Sequence, residues 1–241
     1  MTVRMILPLL FGVVGVAVLL WLGFWQLDRL AWKEERLAVI AAKIAATPEP
    51  LIDHFKSTAP KSETNYTRVK FEGVLTDKEA HVLTSVKYSG PGSQSGPGFR
   101  VLKEVVWNGK NFLLDLGFVP EAQKNDPRAT GPVRVIGNIL DPDDYDASFT
   151  PDPDLEANIW FARYLPQMAQ ELEVLPFMVV VEQAEVLKDD VWVPFDDVTP
   201  LPVSVNIPND HREYAITWFS LAFVWFGMTC YLLWRIRQKT V

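Results

Sequence analysis

The stretch Met5 to Trp25, MILPLLFGVVGVAVLLWLGFW, holds 21 consecutive residues without a charged side chain, and Tyr214 to Trp234, YAITWFSLAFVWFGMTCYLLW, holds another 21. At ~1.5 Å rise per residue, a helix of that length crosses the ~30 Å hydrocarbon layer of a bilayer. Two transmembrane helices are therefore expected at the two ends. The 241-residue chain divides into an N-terminal helix (1–25), an intervening domain (26–213), a C-terminal helix (214–234) and a short tail (235–241). The charge layout agrees: all 30 acidic residues lie between Gln26 and Glu213, with 19 of the 23 Lys and Arg, leaving Arg4, Arg235, Arg237 and Lys239 outside. Nothing in this acidic middle favours nucleic acid as a partner. A cleavable signal peptide is the alternative reading of the first stretch, but the apolar run is long and no Ala-x-Ala type site follows it.

Arg235, Arg237 and Lys239 favour a cytoplasmic C-terminus, whereas Arg29, Lys33 and Arg36 pull the other way; a loop this long translocates largely regardless of charge. Both termini are expected inside and the middle outside. The single Cys230 falls within the second span, so the outer domain has no thiol for a disulfide or a metal site. The N-terminus lacks the Ser- and Arg-rich character of a mitochondrial presequence, so the simplest placement is a bacterial cytoplasmic (inner) membrane with the domain in the periplasm.

Past Trp25 the helix should continue over 26–46, since QLDRLAWKEERLAVIAAKIAA has no Gly or Pro and is rich in Ala, Leu, Glu and Lys. Gln26, Arg29, Lys33 and Arg36 share one face as a polar stripe, and Trp21, Trp25 and Trp32 mark the interface. From 60 to 205 the pattern is mainly β. Arg68 to Glu72 alternates strictly, Phe99 to Trp107 and Asn111 to Phe118 flank Asn108-Gly109 as a hairpin, and Val133 to Leu140 and Phe177 to Val186 add two runs. A short helix from Pro166 to Glu173 and loops at Tyr88 to Gly98 and Asp141 to Asp154 complete the domain. The expected fold class is an α+β membrane protein, with two transmembrane helices flanking an exterior domain built on an antiparallel sheet or small β-barrel.

Catalytic signatures are absent from the sequence: no Walker lysine follows the Gly-rich loop, and there is no Gly-x-Ser-x-Gly, His-Glu-x-x-His or Cys-x-x-Cys-His. No enzyme is expected. Asp141, Asp143, Asp144 and Asp146 alternate like calcium ligands, but the sixth position is Asp146 rather than Gly and the twelfth is Asp152 rather than Glu; a solvated acidic loop is the competing reading. His54 and His81 lie in polar surroundings, which fits surface or hydrogen-bonding roles.

His211 stands apart, because it precedes the second span by three residues. In a helix begun near Asn209, His211, Ala215, Trp218, Ala222 and Trp225 project from one face. Such a face could admit a flat apolar macrocycle with the imidazole on its iron; equally, Ala215 and Ala222 could let the helices pack closely, as Gly12, Gly15 and Gly23 would on the first. The Arg29, Lys33, Arg36 stripe has two readings as well, lipid phosphates or the propionates of that macrocycle.

Two blocks carry a resemblance. In LGFWQLDRLAWK, Gly23, Trp25, Gln26, Arg29, Leu30, Trp32 and Lys33 match Gly-x-Trp-Gln-x-x-Arg-Leu-x-Trp-Lys. In NDHREYAITW, Asn209, His211, Tyr214, Ala215, Thr217 and Trp218 match Asn-x-His-x-x-Tyr-Ala-x-Thr-Trp. With these the chain resembles the Surfeit locus protein 1 family of cytochrome c oxidase assembly factors over nearly its whole length. It departs where the family usually has Asn-Arg-Gly-Trp-Val-Pro, since Asp115-Leu116-Gly117-Phe118-Val119-Pro120 lacks that Arg and Trp. The resemblance implies a non-enzymatic membrane chaperone that helps place haem a in subunit I of a haem-copper oxidase. It implies haem a as cargo and His211 as axial ligand on the haem iron; the haem-delivery reading adds Trp218, Trp225 and Tyr214 as ring neighbours and Arg29 and Lys33 as propionate partners. Oxidase subunit I, haem a synthase and membrane lipid are the implied partners. The alternative is a scaffold that holds subunit I without touching haem. A two-span sensor is disfavoured, because seven residues after Trp234 are too few for a signalling output.

Overall fold

The structure is a computed structural model that describes residues 3–56, 61–87, 95–204 and 209–238. In chain order its elements are α1 (Val3–Ile44), β1 (Glu49–Pro50), α2 (Leu51–Lys56), α3 (Lys61–Thr64), β2 (Arg68–Val86), β3 (Gly96–Trp107), β4 (Lys110–Pro120), a 3-10 turn (Glu121–Gln123), β5 (Gly131–Ile139), β6 (Ile159–Trp160), α4 (Leu165–Leu172), β7 (Met178–Lys188), β8 (Val191–Pro194) and α5 (His211–Gln238). They form two compact units, Met1–Ile40 with Val205–Val241, and Ala41–Ser204.

In the helical unit, α1 is unbroken through the apolar stretch and the polar segment after it, with Pro8 near its start where few helical hydrogen bonds are lost. Both helices are long and apolar enough to cross a membrane, and only 6% of each apolar window is buried, unlike the core helix of a soluble protein. The helices pack antiparallel. The shielded positions of α1 recur as Gly12, Val16, Leu19, Gly23, Gln26, Leu30, Lys33 and Leu37, and those of α5 as His211, Ala215, Trp218, Ala222, Trp225 and Thr229. This alternation of three and four is the heptad pattern of a knobs-into-holes seam. Glycines let the backbones approach: a Cβ on Gly12 would strike Thr229, one on Gly15 would lie 2.7 Å from Trp225 Cε2, and one on Gly23 would lie 2.6 Å from Phe219 Cε1. α5 continues through Arg235 and Arg237 to Gln238, so most of the expected tail is helical.

The other unit is a closed five-strand barrel. β2 pairs with β3, β3 with β4, β4 with β7, β7 with β5, and β5 returns to β2; every contact is antiparallel except β4 to β7. The Asn108-Gly109 turn joins β3 and β4 with both residues at positive φ, as a two-residue hairpin of the primed type requires. β2 is much longer than its alternating start, because it serves two neighbours in turn: 68–75 pair with β5 and 74–86 with β3, with an irregularity between Leu75 and Glu79 where the strand turns the corner. Gly96, Pro97 and Gly98, expected in a loop, extend β3 against 84–86 of β2; 88–94 lie outside the described residues.

Two cores follow from strand alternation. Val69, Phe71, Val101, Val105, Leu114, Leu116, Val133, Val135, Val179 and Val181 fill the barrel. Their neighbours Leu102, Leu113, Met178 and Val180 point outward and are covered by α4 through Leu165 and Met168. β4 is therefore buried on both faces, which is why its sequence is apolar on either side of the buried Asp115. α4 begins within a residue of expectation, with Pro166 in its first turn.

Candidate functional site

The two sequence blocks meet in one contact. Gln26 on α1 and His211 at the first residue of α5 are 185 residues apart in sequence, yet His211 Nδ1 lies 2.7 Å from Gln26 Oε1. Gln26 is 9% exposed and seated in the seam, whereas His211 is half-buried at the seam's end. An amide oxygen only accepts, so Nδ1–H is the donor in this contact. Beyond His211, α1 runs on to Ile44, about 27 Å at ~1.5 Å per residue. On its extension two guanidinium groups lie over the Trp32 ring, Arg29 at 4.0 Å and Arg36 at 5.1 Å from the ring centroid. Arg29 is thus committed to an indole face, although its N–H edge remains a donor.

The face below His211 is not an open slot. Ala215 and Ala222 are buried against α1, and Trp225 packs beside Gly15 and on Phe11 at 5.7 Å between ring centroids. The close-packing alternative describes this face from Ala215 inward. Trp218, a seam position at i+7 from His211, is half-buried, and Tyr214, at i+3, is 56% exposed. Nε1 of Trp218 and of Trp225 are buried with no hydrogen-bond partner. Lys33 lies on the seam side of α1, half-buried. Trp218 and Trp225 thus belong to the helix contact, and Tyr214 stands outside it.

A second group of charged residues, which sequence reasoning missed, lies inside the barrel unit. Glu79 Oε1 accepts hydrogen bonds from Arg128 Nη1 at 2.7 Å and His81 Nε2 at 2.8 Å, and Glu79 Oε2 is 3.9 Å from Lys103 Nζ. Burial alone would raise the Glu79 carboxyl, but the His81 hydrogen bond and the Arg128 charge outweigh it and hold the group below its usual value. Burial pushes the Lys103 ammonium below its usual value, with Glu79 opposing. His81 is buried, unlike a surface histidine. The periodicity held a signal: Phe99, Val101, Lys103, Val105 and Trp107 alternate on one side of β3, which places Lys103 among core residues.

The departure segment is also explained. Fully buried Asp115 accepts from Arg100 Nε at 2.8 Å and Arg163 Nη1 at 3.1 Å, and Arg163 Nε also reaches Asp144 at 2.8 Å. Burial works against the Arg163 guanidinium, but Asp115 and Asp144 raise its pKa above the usual value. Leu116, where the family pattern has Arg, is buried in the barrel core, and Phe118 exchanges backbone hydrogen bonds with Thr199. Asp144 is thereby an ion-pair partner of Arg163. Among the described residues no group of three or more His, Cys, Asp or Glu is placed to hold a metal ion, so the Asp141 to Asp152 loop offers no calcium cage.

The SURF1 family model matches residues 13–223, from the first apolar helix into the second. The chain belongs to the SURF1 family. A SURF1-like protein of Monosiga brevicollis is 28% identical over 223 residues, covering 88% of this chain and 82% of the relative. A SURF1-like protein of Rickettsia felis is 27% identical over 215 residues, covering 85% and 87%, and Surfeit locus protein 1 of Xenopus tropicalis is 26% identical over 219, covering 83% and 67%. Bacterial members stand beside animal ones, and the two apolar helices make this SURF1 chain a membrane protein.

Proposed function

We propose that this SURF1 family member is a non-catalytic chaperone of the bacterial inner membrane. It receives haem a and passes it to subunit I of a haem-copper cytochrome c oxidase, with the barrel unit in the periplasm. The observation that carries the reading is the meeting of Gln26 and His211, which holds an imidazole, half-buried, at the end of the helix pair. Neutral imidazole is a suitable axial ligand for haem iron. Tyr214 and Trp218 would flank the macrocycle, and Arg29 and Lys33 would pair with its propionates. Holding the cargo needs no bond to be made or broken in it.

Closure of the seam at Ala215 and Ala222 favours a second reading, in which the helix pair is a rigid scaffold for subunit I and haem never binds. The test is an optical spectrum of protein purified from cells that make haem a, beside protein from cells that make only haem b. A stoichiometric Soret band with selectivity for haem a supports the first reading. Co-purification with subunit I and no haem would overturn it in favour of the scaffold.

A further inference from the structure

We infer that Gln26 is a positioning residue that fixes the proton of His211 on Nδ1 and, being uncharged, keeps Nε2 a weak and therefore reversible ligand. The inference rests on the haem reading for the identity of the ligand, but its first half concerns this chain alone. Three observations carry it. The contact is short, 2.7 Å, between a seam residue and a helix-terminal ring. Gln26 is 9% exposed, so water does not compete freely for the same nitrogen. The partner is an amide rather than a carboxylate, and that choice has a chemical consequence. Metal-bound histidines that donate to a carboxylate are made more basic and bind more tightly, and such outer partners typically alter metal affinity by ~10–100-fold. A neutral acceptor selects the tautomer and orients the ring without adding that basicity. Permanent metal sites favour tight ligation, whereas a site that must release its cargo favours this arrangement.

Gln26→Met keeps the side-chain length and removes the acceptor; Gln26→Glu keeps the acceptor and adds charge. Nitrogen-15 NMR of selectively labelled histidine in the full-length apo-protein, in lipid nanodiscs, reads the tautomer directly. The wild type and Gln26→Glu should show a protonated Nδ1 and an unprotonated Nε2, while Gln26→Met should show a mixture. A wild-type ring protonated on Nε2, or a tautomer unchanged in Gln26→Met, overturns the inference even if haem binds. In haem-loaded protein, Gln26→Met should bind about 10-fold more weakly. Gln26→Glu should release haem to an apoprotein acceptor at least several-fold more slowly and lower the midpoint potential. Release and potential unchanged in Gln26→Glu would refute the second half. Absence of any haem spectrum in the wild type would instead count against the functional reading, leaving the tautomer result to stand alone. A purely structural tie between α1 and α5 would alter thermal stability in Gln26→Met without reversing the direction of the haem effects in Gln26→Glu.

Discussion

Replacing Glu79 with Gln keeps the side-chain shape and removes the negative charge that faces Arg128, His81 and Lys103. The side chains of Arg128 and Lys103 are 1% and 2% exposed, so neither cation can turn to water when its partner is lost. Breaking a buried ion pair from one side costs about 3–5 kcal/mol, and because the amide still accepts a hydrogen bond we place the loss near 3 kcal/mol. For a unit of this size that corresponds to a fall in Tm of roughly 6–12 °C. The pH dependence follows from the depressed Glu79 carboxyl. Its contribution is fully present above the unfolded value and disappears as pH falls through the folded one, so the gap between wild type and Glu79→Gln should narrow in acid. Lys103 acts at the alkaline end: its ammonium lies below the ordinary value in the folded protein, so the unfolded chain binds more protons and wild-type stability rises with pH there. The assay is thermal unfolding of the full-length protein in detergent, followed by near-UV circular dichroism from acid to alkaline pH. A Glu79→Gln stability within about 0.5 kcal/mol of wild type at pH 7 would refute the buried-pair reasoning, since that is the spread of surface substitutions.

Lys103→Met should cost less than Glu79→Gln, because it removes a buried charge and leaves Glu79 with Arg128 and His81; the same unfolding assay compares them. Gly117→Ala should destabilise the barrel by about 3 kcal/mol or more, since Gly117 holds φ at +132° and a Cβ would strike the backbone oxygen of Thr199; denaturant unfolding measures it. Gly15→Leu should separate α1 from α5 at Trp225, reducing disulfide trapping between cysteines placed at the Gly12 and Thr229 level, whereas Val14→Leu, on the exposed side, should leave trapping unchanged.

Local features of this fold were legible because each depends on neighbours in sequence. Two uncharged stretches gave the helices, Asn108-Gly109 the hairpin, and Pro166 the start of α4. Barrel closure was not legible in the same way. β2 changes partners at an irregularity after Leu75, and β4 meets β7 in parallel across about 60 residues of intervening chain, and neither pairing leaves a short-range signature. Burial of charge was half legible: Lys103 sits in the core phase of β3, but Glu79, which compensates it, and Arg128, the second cation on Glu79, arrive from a strand corner and a loop. At the helix pair, the heptad spacing from His211 to Trp225 located a face correctly but could not say what covers it. α1 does, from Ala215 inward, and its Gln26 supplies the partner that no spacing on α5 could reveal.

The most direct test of the central claim is an optical and magnetic spectrum of haem-loaded protein carrying His211→Gly, recorded with and without added imidazole. The expected result is loss of the histidine-ligated signature in the variant and its return when free imidazole fills the vacated position. A stoichiometric haem spectrum that is the same in His211→Gly as in the wild type, and indifferent to imidazole, would contradict the assignment of His211 as the residue that holds the cargo.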